Sequence, residues 1–275
     1  MNRRFAPMLL ACLLTAGCAV PAVPDEAAGR VDALLPADAI LLGEQHDSPD
    51  HQRIHRQVIE ALVARGALAA VALEMAPQGG STSGLPRDAD EAAVQSALQW
   101  TDASWPWKSY APAVMAAVRS GVPVLGANLP RAAMRSAMAE SDLDTLLPGP
   151  ALKAQQQAIR VGHCDMLPET QIAPMTRIQI ARDRAMAQTL ATLVAPGKTV
   201  VLLAGARHVD RQLGVPQHLP SAVRTKVVAL RAGPSDEARS TEQADATWAT
   251  PPVPPKDYCA GVRVVRPAAQ TPTAP

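Results

Sequence analysis

The chain has 275 residues, with 26 Lys and Arg against 25 Asp and Glu, a formal net charge of +1. That balance offers no basic footprint for nucleic acid, whose phosphates call for a strongly positive surface. One Phe and two Tyr also leave no evident deep aromatic slot for a flat cofactor.

Met1 to Cys18 reads as an export signal. Arg3 and Arg4 precede an apolar stretch from Phe5 to Ala16, and small residues follow. Thr15-Ala-Gly-Cys18 is similar to a bacterial lipobox, in which Cys18 becomes a lipidated N-terminus. An ordinary cleaved signal is the alternative. Ala19 rather than Asp after the cysteine implies, by that resemblance, the periplasmic face of the outer membrane. No other apolar run reaches the ~18 residues of a spanning helix. Residues 19–30, rich in Ala, Pro and Val, are expected to be a tether. Roughly 245 residues remain, enough for one α/β domain with a full core. Cys12 leaves with the signal and Cys18 is the anchor, so Cys164 and Cys259 remain in an oxidising compartment. A disulfide is expected; two buried thiols or a metal-ligating Cys164 are the alternatives.

The domain is expected over 31–267. Ala39-Ile-Leu-Leu-Gly43 has no alternation and reads as a strand buried on both faces. Ser48 suits a helix cap and Pro49 a first helical position, for a helix to about Arg65 with Ile54, Val58, Ala61 and Leu62 as its apolar stripe. Leu68 to Ala76 is the second strand. A Gly/Ser loop over 78–86 precedes a helix over 88–100. Trp105-Pro-Trp107 makes a rigid turn into a helix ending near Arg119. A third strand starts at Val122 and ends at Asn128 and Arg131. Residues 132–195 are mainly helical, broken near Pro148, Gly162 and Pro168. Thr199 to Ala204 is a fourth buried strand, and Lys226 to Leu230 a further one. Residues 231–256 read as loop, 257–265 as a last edge strand, and 268–275 as a disordered tail. Alternating strands and helices predict an α/β fold: a mainly parallel sheet covered by helices, with an all-α lobe inserted before the last core strand.

Two stretches share one grammar: an apolar strand, a Gly, two residues and a His. They are Gly43-Glu-Gln-His46 and Gly205-Ala-Arg-His208. Both histidines are expected just past strand carboxyl ends, where open α/β sheets bind ligands. Four strands end in polar residues: one in Glu44, His46 and Asp47, one in Glu74, one in Asn128 and Arg131, and one in Arg207, His208 and Asp210. Imidazole with carboxylate suits a divalent metal, or acid–base chemistry near neutral pH. The plainer readings are a loop-bonding His46, an N–H-capping Glu74 and a charge-neutralising Arg131. His51 and His55 share a helix face, which as readily means a buried or solvated pair as a metal grip. His163 sits in a kink of the lobe, facing a ligand or serving structure. Trp100, Trp105, Trp107 and Tyr110 form either a helical core or an apolar wall for a flat ligand. His218 reads as an ordinary helix or surface residue.

Taken together these landmarks resemble the ChaN family of haem-binding lipoproteins, within the Tiki/erythromycin-esterase-like superfamily. The resemblance rests on Leu41-Leu-Gly-Glu-Gln-His-Asp47, Leu73-Glu-Met75, Trp105 to Tyr110, Val124 to Arg131, Gly162-His-Cys164, Arg182 to Ala187, Leu203 to His208 and Gly214-Val-Pro216. It implies haem binding in haem or iron uptake, a tyrosine-ligated haem in a homodimer, and a haem-uptake receptor as partner. Neither Tyr110 nor Tyr258 lies in a stretch matching a known haem ligand, so the axial candidates are Tyr110, His163 and His51. Superfamily relatives imply a second reading, a metal-dependent hydrolase. There His46, His208 and Glu74 would hold the metal, Glu44 or Glu74 would activate water, and Arg131 or Arg207 would stabilise an anion. A third reading is a site kept for folding alone.

Overall fold

A computed structural model describes residues 25–233 and 244–260. The signal, Cys18 and the 268–275 tail lie outside the described residues. Six strands form one sheet: β1 (Ala39–Glu44), β2 (Leu68–Pro77), β3 (Val124–Asn128), β4 (Thr199–Gly205), β5 (Thr225–Ala232) and β6 (Ala246–Thr250). Their order is β3-β2-β4-β1-β5-β6, and every neighbouring pair is parallel.

The pleat sorts the side chains to two faces. Ile40, Leu42, Val201 and Leu203 pack against α1 (Asp25–Asp32), α2 (Pro49–Ala64), α3 (Glu91–Ala97) and α4 (Trp107–Arg119). Leu41, Val200 and Leu202 pack against Met186 and Leu190 of α7 (Glu169–Leu193). With α5 (Met134–Ala139) and α6 (Gly149–Gly162), α7 also builds the lobe, around Leu143, Leu147 and Ile180. The lobe lies between β3 and β4, and two parallel strands follow β4.

After β1 the chain enters α2 on the first face. After β4 it runs through Val209 and Val215, which pack on the second. Adjacent strands whose continuations part to opposite faces leave a crevice at their carboxyl ends. The two glycines of the shared grammar let this edge close. A Cβ on Gly43 would come 2.3 Å from Val209 Cγ2 and 3.1 Å from the Ala206 Cα.

Several expectations are corrected. The tether over 19–30 is helical from Asp25; Val31 is buried, and Arg65 forks onto Asp32 and bonds the Ala28 carbonyl. Ser48 occupies the cap position of α2, but its hydroxyl is buried without a partner. The loop over 231–256 contains β6, whose Trp248 is buried. A single indole replaces the aliphatic run that marks the other strands. The edge strand over 257–265 is a turn as far as residue 260, closed by Ala260 N–H to the Asp257 carbonyl; 261–265 lie outside the described residues. Cys164 and Cys259 are disulfide-bonded, with Cα atoms 5.8 Å apart, and the bridge joins the lobe to this turn, not to a strand. Closing a loop of 95 residues restricts the unfolded chain by about 4–5 kcal/mol in the chain-entropy picture.

Gly43→Ala should destabilise the fold by about 1–3 kcal/mol through overpacking. Urea unfolding of Gly43→Ala, Val209→Ala and the double variant tests this. The double variant should lose less than the sum of the two, because removing the Val209 methyls vacates the space the new methyl needs. Strict additivity would contradict the packing.

Candidate functional site

Glu44 ends β1 and His46 follows two residues later; in register, Glu44 faces Gly205 of β4. Glu44 is 2 % exposed. One of its oxygens accepts the Tyr110 hydroxyl at 2.5 Å and lies 2.7 Å from His46 Nδ1. The other is 3.4 Å from the Gln52 amide nitrogen and 3.6 Å from His55 Nδ1. Tyr110 comes from α4, Gln52 and His55 from α2, and His46 from the loop after β1.

Glu74, on β2, draws its partners from α7, the end of β4 and the loop after it. It accepts the Gly205 N–H at 2.7 Å and an Arg182 N–H at 2.7 Å, and lies 3.1 Å from His208 Nε2. Arg182 also donates to Asn128 Oδ1 at 2.9 Å, and Asn128 donates to the Glu74 carbonyl at 2.8 Å. His208 Nδ1 lies 2.5 Å from a carboxylate oxygen of the fully buried Asp183. His46 joins the two halves, since its Nε2 is 4.0 Å from Glu74. Gly205 makes that possible: a Cβ there would lie 2.7 Å from His46 Nε2. Thus Gly43 makes room for the loop bearing His208, and Gly205 for His46.

Charge follows from these partners. Burial opposes a charged His208, but Glu74 and Asp183 outweigh it and push its pKa up to about 9. Burial likewise opposes an ionised Glu74, yet His208, Arg182 and His46 hold it far below the usual carboxylate range. Burial opposes an ionised Glu44 as well, and its hydrogen bond to His46 and the histidine charges still bring it below the ordinary value. His46 is raised, because Glu44 and Glu74 outweigh its burial. His55, sealed without a hydrogen bond, is pushed down to about 4 by burial. Tyr110 is raised by burial and by Glu44.

Above this network lies a cavity of about 1240 Å³. Glu44, Glu74 and His208 line its floor, together with His46, whose side chain is 39 % exposed. Trp105 and Pro106 form an apolar wall, with the Trp105 ring 4.6 Å from the His46 ring, edge-on. Arg207, Arg231, Lys256 and Tyr258 stand at its mouth. Tyr258 is 59 % exposed, and its hydroxyl donates to Asp47.

The structure thus brings His46, Glu44, Glu74, His208 and Tyr110 together, and leaves three other candidates outside the cavity lining. Arg131 is exposed in a 3-10 turn after β3. His163 ends α6, its Nδ1 2.9 Å from the Ile159 carbonyl oxygen. His51 is buried between the Gln45 N–H and the Thr250 hydroxyl. Asp210 caps its own loop, accepting the N–H groups of Gln212 and Leu213. Among the described residues no group of three or more His, Cys, Asp and Glu is arranged to hold a metal ion. Of the expected donors, His208 has its ring nitrogens beside Asp183 and Glu74, and Glu74 is committed to Arg182 and the Gly205 N–H, while His46 is bonded to Glu44 through Nδ1.

Sequence reasoning assigned no role to Asp183, Arg182 or Tyr258. Asp183 carried a signal: it sits on the buried stripe of α7 with Ile172, Thr176, Ile180, Ala187 and Leu190. A lone carboxylate on an apolar stripe needs a partner.

A profile of the family described as "Haem-binding uptake, Tiki superfamily, ChaN" matches residues 30–219. The solved structure "Cofacial heme binding to ChaN of Campylobacter jejuni" aligns at 28 % identity and a TM-score of 0.63, covering 76 % of this chain and 87 % of that one. The type III effector HopBA1 aligns at 15 % identity and a TM-score of 0.45, over 82 % of this chain and 92 % of its own. No curated protein sequence matches the chain.

The His208 pKa, raised from 6.5 to about 9, fixes the sign of a pH effect. A group raised in the folded state contributes stability that is full below its unfolded pKa and lost as pH climbs through the folded one. Thermal melts of wild type and His208→Gln should therefore differ most below pH 6.5 and converge as pH rises past about 9. A gap that widens with pH would refute an imidazolium at this position.

Proposed function

The chain belongs to the ChaN family of haem-binding uptake proteins in the Tiki superfamily, and from that premise we propose that its cavity binds haem for haem or iron uptake. The observation carrying this reading is the open cavity at the sheet edge, with an exposed phenol at its mouth already bonded to a carboxylate. The relative from Campylobacter jejuni, titled for cofacial haem binding, supports it.

The residues fit a flat, amphipathic, dianionic group. Trp105 and Pro106 offer an apolar wall, and Arg231, Lys256 and Arg207 supply cations at the mouth for carboxylates. Haem, when bound, supplies an iron centre that takes an oxygen or nitrogen ligand. Tyr258 is the residue to provide it. Its hydroxyl donates to Asp47, a hydrogen bond that raises the phenol, lowers the Asp47 carboxyl and holds the phenol oxygen in place at the cavity mouth. Tyr110 is a poor donor to iron, being 1 % exposed with its hydroxyl committed to Glu44. His163 and His51 are outside the cavity lining. Haem is preferred to a metal-dependent hydrolase because the latter would have to take two of its three expected donors, Glu74 and His208, from partners they already hold.

The export signal and Thr15-Ala-Gly-Cys18 support a chain anchored by lipid on Cys18 at the periplasmic face of the outer membrane. In that place it would pass haem to or from an uptake receptor, as a monomer or paired with a second copy. Labelling with palmitate should mark the wild type and not Cys18→Ser; equal labelling of both removes the anchor from the proposal.

Haemin titration followed by visible absorption tests the cofactor. Wild type should shift the Soret band saturably. Tyr258→Phe should bind at least tenfold more weakly, about 1.4 kcal/mol. Tyr110→Phe should keep its affinity and lose thermal stability. A wild type that leaves the haemin spectrum unaltered rules out the haem reading, and an unimpaired Tyr258→Phe rules out the ligand assignment.

A further inference from the structure

The segment after β6 is a strap. At Thr250 the carbonyl accepts the Gly233 N–H at 2.9 Å, which fixes the near end. Then come Pro251-Pro-Val-Pro-Pro255. Four prolines have no N–H to extend a sheet, and a proline-rich run behaves as a stiff spacer. Residues 251–257 have no regular structure. Beyond them Lys256 and Tyr258 reach the cavity mouth, and Cys259 is bonded to Cys164. The strap lies past the residues matched by the family profile, 30–219.

The far end is held weakly except through sulfur. The Tyr258 hydrogen bond to Asp47 joins two exposed residues, and such contacts contribute little. Lys256 lies 5.2 Å from the Tyr258 ring, a contact inside the strap itself. Among the described residues the turn at Cys259 closes on Asp257, through its carboxylate and its carbonyl. The receiving corner is built differently. Cys164 and Asp165 take the left-handed conformation, φ 61° and 54°, and their N–H groups bond the Val161 and Arg160 carbonyls at 3.0 and 2.9 Å. Breaking the bridge therefore frees the strap and leaves the lobe corner in place.

We propose that the Cys164–Cys259 disulfide is a latch on the ligand site. In the disulfide form the strap holds Tyr258 and Lys256 at the cavity mouth; in the dithiol form it swings out about Thr250 and ligand is released. The inference rests on the haem reading of the cavity and on Tyr258 facing that ligand. Latched, Tyr258 is present at high effective concentration; on a free stiff arm, that concentration falls with the volume the arm sweeps. Cys259 is exposed and Cys164 partly so, which leaves the bridge open to a soluble or protein dithiol. The dithiol's thiolate attacks one sulfur, the S–S bond breaks and a mixed disulfide forms. Its second thiol then resolves it. Two electrons and two protons pass to the bridge, giving two cysteine thiols and the reductant's own disulfide.

Three forms of the exported chain test the latch: the disulfide form, wild type reduced with dithiothreitol and alkylated before the reductant is removed, and Cys259→Ser. Cys259→Ser leaves the Cys164 corner untouched, and circular dichroism confirms that each form is folded before use. Haemin affinity should fall at least tenfold in both open forms. Trypsin cleavage after Lys256, followed by mass spectrometry, should be at least tenfold faster in both. Equal haemin affinity in all three forms overturns the latch while leaving the haem reading intact. If no form binds haemin, the haem reading fails, and cleavage alone decides whether the bridge holds the strap. Equal cleavage rates overturn the strap's release, and faster cleavage in the open forms supports it.

Discussion

Two carboxylates held ionised in the dry edge of the sheet organise this molecule. Glu44 and Glu74 are each 2 % exposed, and a buried charge without partners costs several kcal/mol. The surroundings follow from that cost. Tyr110, His46 and Gln52 attend one carboxylate; Arg182, His208 and the Gly205 N–H attend the other. Two of these partners are positioned in turn, Arg182 by Asn128 and His208 by Asp183. The charges couple the two helical layers: α2 and α4 converge on Glu44 from one face, and α7 converges on Glu74 from the other. His46, between them, is the member of this network most open to the cavity, so a ligand entering there meets a ring whose protonation both carboxylates favour.

Much of this was legible in the sequence, for a physical reason. Unbroken aliphatic runs such as Ala39-Ile-Leu-Leu and Thr199-Val-Val-Leu-Leu-Ala mark strands buried on both faces, and such strands are the middle of a parallel sheet. The repeated Gly-x-x-His placed both imidazoles at one rim because adjacent parallel strands end together. Its deeper meaning was not legible. Each glycine serves the other motif, Gly43 yielding to Val209 and Gly205 to His46. That exchange requires β1 and β4 to be neighbours, which no local pattern states. β6 escaped because one indole, Trp248, supplies its burial. The roles of Tyr258 and Asp183 escaped because each is defined by a partner distant in the chain.

The histidines show how type and spacing mislead without burial. His51 and His55 share a helix face, as their spacing requires, and that face is turned inward. His51 is consumed by Gln45 and Thr250, while His55 stays neutral beside Glu44. His163 faces its own helix's carbonyl. A histidine becomes available to a ligand here only where the backbone has no helix to retire into, which is true of His46 in the loop after β1.

The cavity's walls are gathered from most of the described chain: β1 and its loop, the turn before α4, α7, the loop after β4, the end of β5, and the segment past β6. No contiguous stretch outlines it. Glu44 leaves the ribosome more than two hundred residues before Tyr258 does. A nascent chain can finish its central strands and still present a trough instead of a pocket. The cavity is therefore complete only in a chain folded through the segment past β6, so a truncation there would remove part of the lining while leaving the central strands whole.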